Sequence, residues 1–172
     1  MQQAAIARGT SERVSELTDA AAWTKLAASA SLDEFLSGWI AIQCAQVAEC
    51  VRALVRVEAG EGTRGEVAWP PGEKVPELAG PIAEAAERKR GVVSVADGGN
   101  SVLAAYPVLI GGEAVGAVAM VLGGTDRAAL LAAMRLMQWG TAWLRERILQ
   151  ARIEHRAGEA SFAGSVLDML SV

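Results

Sequence analysis

The stretch that most restricts the fold is Ser101–Gly124, SVLAAYPVLIGGEAVGAVAMVLGG. Two apolar runs are joined by Gly111-Gly112, and two adjacent glycines accept positive φ at both central positions of a tight hairpin turn. On the first run Val102, Ala104, Tyr106, Val108 and Ile110 share one face, while Ser101, Leu103, Ala105, Pro107 and Leu109 share the other. Both faces are largely apolar, so the spacing predicts central strands covered on two sides. Pro107 cannot donate to a ladder and predicts a gap or bulge in the first strand. A membrane helix is the competing reading, because Glu113 is the one charge in the span. Pro107 and the Gly-Gly break beside that acid argue against it.

The 172 residues suit one domain with a full core and flanking helices. The chain is 52% hydrophobic with a mean hydropathy of +0.26, which calls for a second buried face or a partner. A net charge of −4 argues against a nucleic-acid footprint. Two cysteines, Cys44 and Cys50, make no disulfide framework and suit a reducing, cytoplasmic compartment. No secretory signal pattern opens the chain.

Taken in order, 1–10 is unpatterned and Ser11 to about Ala28 favours a helix. Ser31-Leu-Asp-Glu34 is a capping box, in which Glu34 reaches back to the Ser31 amide. Leu32, Phe35, Leu36, Trp39, Gln43 and Val47 then recur at helical spacing. Cys50–Ala59 alternates as a strand, with Val51, Ala53, Val55 and Val57 inward, and Thr63–Trp69 forms a second strand ended by Pro70-Pro71-Gly72. A helix is expected from Pro76 or Glu77 to Arg90, stopped by Gly91, then a strand over Val92–Ala96 and a turn at Asp97–Asn100. Thr125 or Asp126 caps a last helix running to about Arg156, with a break at Gly158. The expected architecture is α+β, a mostly antiparallel sheet of five or six strands with helices on its faces and long terminal helices. The chain divides into a 1–30 helical extension, a 31–156 domain, and a 157–172 linker or start of a following domain.

Little in the sequence carries chemistry. His155 is the only histidine and no Cys-x-x-Cys occurs, so no metal site and no cofactor are expected. Cys44 and Cys50 read as buried small hydrophobes, with a redox role as the alternative. Trp69 and Tyr106 are candidates to line a ligand pocket between the sheet and the third helix, with Ser94, Asp97 and Asn100 at its rim. On the last helix Leu130, Met134, Met137, Thr141, Leu144 and Ile148 repeat at alternating fours and threes, the seam of a packed helix pair and a candidate homodimer interface. Leu136, Trp139 and Trp143 form a second apolar stripe beside it.

The element order, centred on Tyr106-Pro-Val-Leu-Ile-Gly-Gly-Glu-Ala-Val-Gly-Ala-Val-Ala-Met120, resembles a GAF domain over roughly residues 30–150. Further patches resemble the GAF domains found ahead of HlyD-type membrane-fusion (efflux adaptor) proteins in bacteria. These are Trp39-Ile-Ala-Ile-Gln-Cys44, Val67-Ala-Trp-Pro70, Ala86-Glu-Arg-Lys-Arg-Gly91, Ala105-Tyr-Pro107 and Gln138-Trp-Gly-Thr-Ala-Trp-Leu144. The resemblance implies a GAF-like fold and a non-catalytic regulatory or sensory module that binds a small molecule and dimerises through its terminal helices. The larger protein would be a transport adaptor, with this segment outside the membrane. The chain departs from specialised members. It lacks the Cys-His pair of bilin attachment and the Asn-Lys…Phe…Asp-Glu signature of cyclic-nucleotide binding, and its cysteines precede nearly all the sheet. Two alternatives follow: a purely structural dimerisation module without a ligand, and a thiol-dependent enzyme resembling methionine sulfoxide reductases.

Overall fold

The structure is a computed structural model that describes residues 20–170 apart from 48, 61, 62, 97 and 125, with side chains as far as residue 158. The described part of the first helix, α1, covers 20–27. It is followed by α2 (Leu32–Gln46), β1 (Cys50–Glu58), β2 (Arg64–Trp69), a 3₁₀ turn (Pro76–Leu78) leading into α3 (Ala79–Arg88), β3 (Val92–Val95), β4 (Val102–Ile110), β5 (Glu113–Leu122) and α4 (Arg127–Leu170). This is the element order that the periodicities predict, with five strands.

The central hairpin forms as expected. Gly111 and Gly112 hold φ of 60° and 83°, and β4 and β5 run antiparallel from Val102↔Leu122 to Ile110↔Glu113. Their register slips between Val108 and Leu109, just past Pro107. Pairing of β3 with β4 stops at Val92↔Ala105, so the side of β4 away from β5 has no ladder for Pro107 to interrupt. All pairings are antiparallel, in the order β2-β1-β5-β4-β3, and β4 and β5 therefore occupy interior positions.

Alternation along these strands makes two cores. Ala53, Val55, Val57, Ala104, Val108, Val118, Met120 and Leu122 face α2 and α4, packing with Leu36, Trp39, Ile40, Met137, Leu144 and Ile148. Leu54, Leu103, Ala105, Ala117, Ala119 and Val121 face the 3₁₀ turn and α3, packing with Val75, Leu78, Ile82 and Ala85. The first core has the larger side chains and the two longest helices. The second is lined by alanine, which lets a single short helix lie close to the strands.

Local signals hold with instructive shifts. Ser31 Oγ accepts from the Glu34 amide at 3.2 Å, but the Glu34 carboxylate accepts from the Ala30 amide at 2.9 Å, one residue before the expected partner. Asp126 caps α4 by accepting from the Ala129 amide at 3.0 Å. The third helix ends at Lys89, which takes the left-handed conformation (φ 52°) before Gly91 is reached and pairs with Glu113 at 2.9 Å. Val51, expected inward, is 48% exposed because the β1–β5 register shifts between Cys50 and Arg52. The last helix does not break at Gly158 but runs to Leu170. One glycine costs a helix about 1 kcal/mol, too little to end it without a capping geometry. The expected helix over 11–19 lies outside the described residues. No described helix is long and apolar enough to cross a membrane.

Candidate functional site

The face beneath α3, where a pocket was expected, is filled. Leu78 and Ala85 are fully buried against Ala105, Ala117 and Ala119, and Arg52 of β1 pairs with Glu77 at 3.1 Å at its margin. Trp69 and Tyr106 do not belong to this face. Trp69 stands opposite Ala53, and Tyr106 opposite Val118, so both project toward α2 and α4 and pack partly buried against that core. They are also on strands separated by β1 and β5, roughly 14 Å apart at the spacing of a sheet. Ser94 is exposed on β3 and, opposite Leu103, shares the α3 face. Asn100 is exposed in the β3–β4 turn, and Asp97 lies outside the described residues. The proposed pocket residues are thus split between two faces of the sheet. Parity along a strand groups residues correctly but does not say which helix covers the group.

The expected dimer seam is likewise committed elsewhere. Met137, Leu144 and Ile148 are fully buried in the core shared with the chain's own sheet and α2, Thr141 is nearly buried, and Leu130 and Met134 pack partly buried beside that core. The Met134 methyl and the Tyr106 ring both lie over Gly91, where a Cβ on residue 91 would meet them. A heptad stripe marks the face a helix buries; a sheet serves as well as another helix.

What α4 leaves outside is the second stripe. Trp139 is 76% and Trp143 59% exposed, one helical turn apart, and Trp23 of α1 packs on Trp143 with ring centroids 5.9 Å apart. On the neighbouring surface α1 and α2 enclose an open groove of about 880 Å³, lined mainly by small residues such as Ala22, Gly38, Ala41 and Ala45, with Lys25 and Asp33 among its polar groups. Arg152 donates to the Ala59 carbonyl at 2.7 Å and ties the later part of α4 to the end of β1.

Cys44 lies in the last turn of α2, and Cys50 opens β1. The Cys50 amide donates to the Val47 carbonyl at 3.2 Å, and Glu49 holds a φ of 66°. A side-chain interaction with Cys50, reinforced by burial, pushes the Cys44 thiol up from the ordinary cysteine value. The same interaction pulls Cys50 down, against a smaller opposing effect of burial. Among the described residues no three histidine, cysteine, aspartate or glutamate side chains gather to hold a metal.

A scan of protein-family models finds no match, and neither does a search of curated proteins by sequence. Solved structures do match. The GAF domain of A. aeolicus nlh2, in an inactive state, superposes with a TM-score of 0.53 at 14% identity, covering 81% of this chain and 98% of that one. The GAF domain of an Acinetobacter phosphoenolpyruvate-protein phosphotransferase gives a TM-score of 0.51 at 12% identity, covering 81% of this chain and 95% of that one.

The fold is that of a GAF domain.

Within this GAF fold, the second apolar stripe of α4 keeps Leu136 partly buried against the core and leaves Trp139 and Trp143 outside. The groove between α1 and α2 had no signal in the sequence, because its lining of small residues carries no chemical pattern.

Proposed function

We propose that this chain is a non-catalytic regulatory module of the GAF type that works as a homodimer through α1 and the outer face of α4. The observation that carries the reading is the exposure of Trp139 and Trp143 on a helix whose inner face is already satisfied. Large aromatics with that much apolar surface in water favour association. Arg135, Arg145 and Glu146, also exposed on α4, supply both signs of charge, which suits a surface meeting its own copy about a two-fold axis. Regulation would act on how the two copies of α4 pack.

The filled face beneath α3 favours the form of this reading without a ligand there. The groove between α1 and α2 is the better place for small-molecule sensing. The longer context remains that of the sequence resemblance, a cytoplasmic segment of an HlyD-type adaptor, supported by the five patches that carry it.

Sedimentation velocity on the reduced chain tests the reading. A dimer that Trp139→Glu or Trp143→Glu converts to a folded monomer is the expected result. A parent chain that stays monomeric at tens of micromolar, an order of magnitude chosen from ordinary dimer affinities, would overturn it.

A further inference from the structure

We infer that two copies of this chain join α4 to α4 in antiparallel fashion, about a two-fold axis that crosses the helix beside residue 141. The inference rests on the self-association reading above and adds to it the orientation of the two helices.

The order of side chains on the outer face carries the argument. Ala132, Arg135, Trp139, Trp143, Glu146 and Gln150 are all exposed and fall on one side of α4, opposite the buried Met137, Leu144 and Ile148. Their positions read nearly the same in both directions along the helix. Residues 132 and 150, 135 and 146, and 139 and 143 lie on either side of position 141 at distances equal to within one residue. Turning a second helix end over end about that point sets Arg135 of each copy against Glu146 of the other, and Trp139 against Trp143. Both charge pairs are then opposite in sign, and the aromatic pairs sit at the centre. A parallel pair would set Arg135 against Arg135 and Glu146 against Glu146, two like-charge contacts across the same seam.

The single chain is already arranged for this. Among the described residues neither Arg135 nor Glu146 forms an ion pair, although Arg147 and Glu154 of the same helix pair with each other. Trp23 packs on Trp143 and still leaves it 59% exposed, so that indole is held in place with free surface for a partner. Ala142, exposed and next to the axis, has no bulk to keep two helices apart.

Two experiments on the full chain read the orientation. Arg135→Glu sets glutamate against glutamate at both ends of an antiparallel seam, and Glu146→Arg sets arginine against arginine. Each should raise the dimer Kd by about tenfold. The double variant Arg135→Glu/Glu146→Arg should bring it back to within about threefold of the parent. In a parallel pair no single reversal changes the sign of any contact, and Kd would stay where it was.

The second experiment carries Ala132→Cys and Gln150→Cys together, followed by a short bismaleimide and trypsin. The two positions fall on separate peptides, 128–135 and 148–152. Along one helix they are roughly 27 Å apart, too far for a short linker to join within a chain. The expected product joins 128–135 of one copy to 148–152 of the other. Joining of 128–135 to itself, single reversals that leave Kd unchanged, or a dimer in sedimentation with no link at either position would each overturn the antiparallel seam and leave self-association standing. A parent chain that stays monomeric overturns the self-association reading, and the seam with it.

Discussion

The indoles of Trp23 and Trp143 meet at an interplanar angle of 48°, joining the start of the described chain to the middle of its last helix. The contact makes α1 and α4 one surface, and it is testable alone. A tilted aromatic pair is worth about 0.5–1.5 kcal/mol beyond area burial, so a double-mutant cycle with Trp23→Ala and Trp143→Ala should show coupling of that size. Denaturant melts of a chain held monomeric by Trp139→Glu would measure it apart from self-association.

The two stripes of α4 should respond to substitution in opposite ways. Leu144→Ala and Met137→Ala, at fully buried positions, should each lower unfolding free energy by about 2–5 kcal/mol. Trp139→Glu should change stability of the monomer by less than about 0.5 kcal/mol while weakening the dimer. Urea denaturation paired with sedimentation separates these effects. Equal loss of stability at both stripes would contradict the assignment of inner and outer faces.

Gln43 is a polar residue in an apolar seam. It is 2% exposed, its side-chain carbonyl oxygen has no hydrogen-bond partner, and it lies where α2 and α4 approach at Gly140. Removing an unsatisfied acceptor with a side chain of the same shape should be neutral or stabilising. Gln43→Met is expected to raise stability by up to about 1–2 kcal/mol, read as a higher urea midpoint. A clear loss would mean that the amide is paired in solution.

Gly116 has no room for a side chain. A Cβ there would overlap the Arg56 carbonyl oxygen in the neighbouring strand. Gly116→Ala should therefore force β1 and β5 apart and cost about 1–3 kcal/mol or more, visible by thermal melting. Gly80→Ala in α3 is the control and should leave the melt unchanged or raise it slightly, because nothing stands within 4 Å of a Cβ there.

The thiols should titrate apart. An ordinary cysteine has a pKa of about 8.5. Interaction with Cys44 favours the Cys50 thiolate, so Cys50 alkylation should rise at lower pH than that of Cys44. Cys44, held protonated by that interaction and by burial, should alkylate at higher pH or on unfolding. Iodoacetamide rates resolved by peptide mass between pH 6 and 10, a range bracketing the ordinary value, would check both. Two superimposable profiles would contradict the split.

Much of this protein was legible because the signals were short. The Gly111-Gly112 turn, the Ser31 and Asp126 caps, the Pro-Pro-Gly stop after Trp69 and the alternation of β1 each depend on residues within about a turn or a strand of one another. These determine the order and identity of the elements, and with them an α+β sheet with a buried central hairpin. They also show that Tyr106 keeps company with Val102, Ala104 and Val108, and that Met137 keeps company with Leu144 and Ile148. What lies on the other side of each group is a different kind of question. Strand alternation defines two faces without naming them, and a heptad defines an inner stripe without saying whether sheet or helix will cover it. Only the pairing of β1 with β5, and the crossings that put α3 on one side and α2 with α4 on the other, turned Trp69 and Tyr106 away from α3. The same contacts, made between distant parts of the chain, buried the heptad seam and left Trp139 and Trp143 in water.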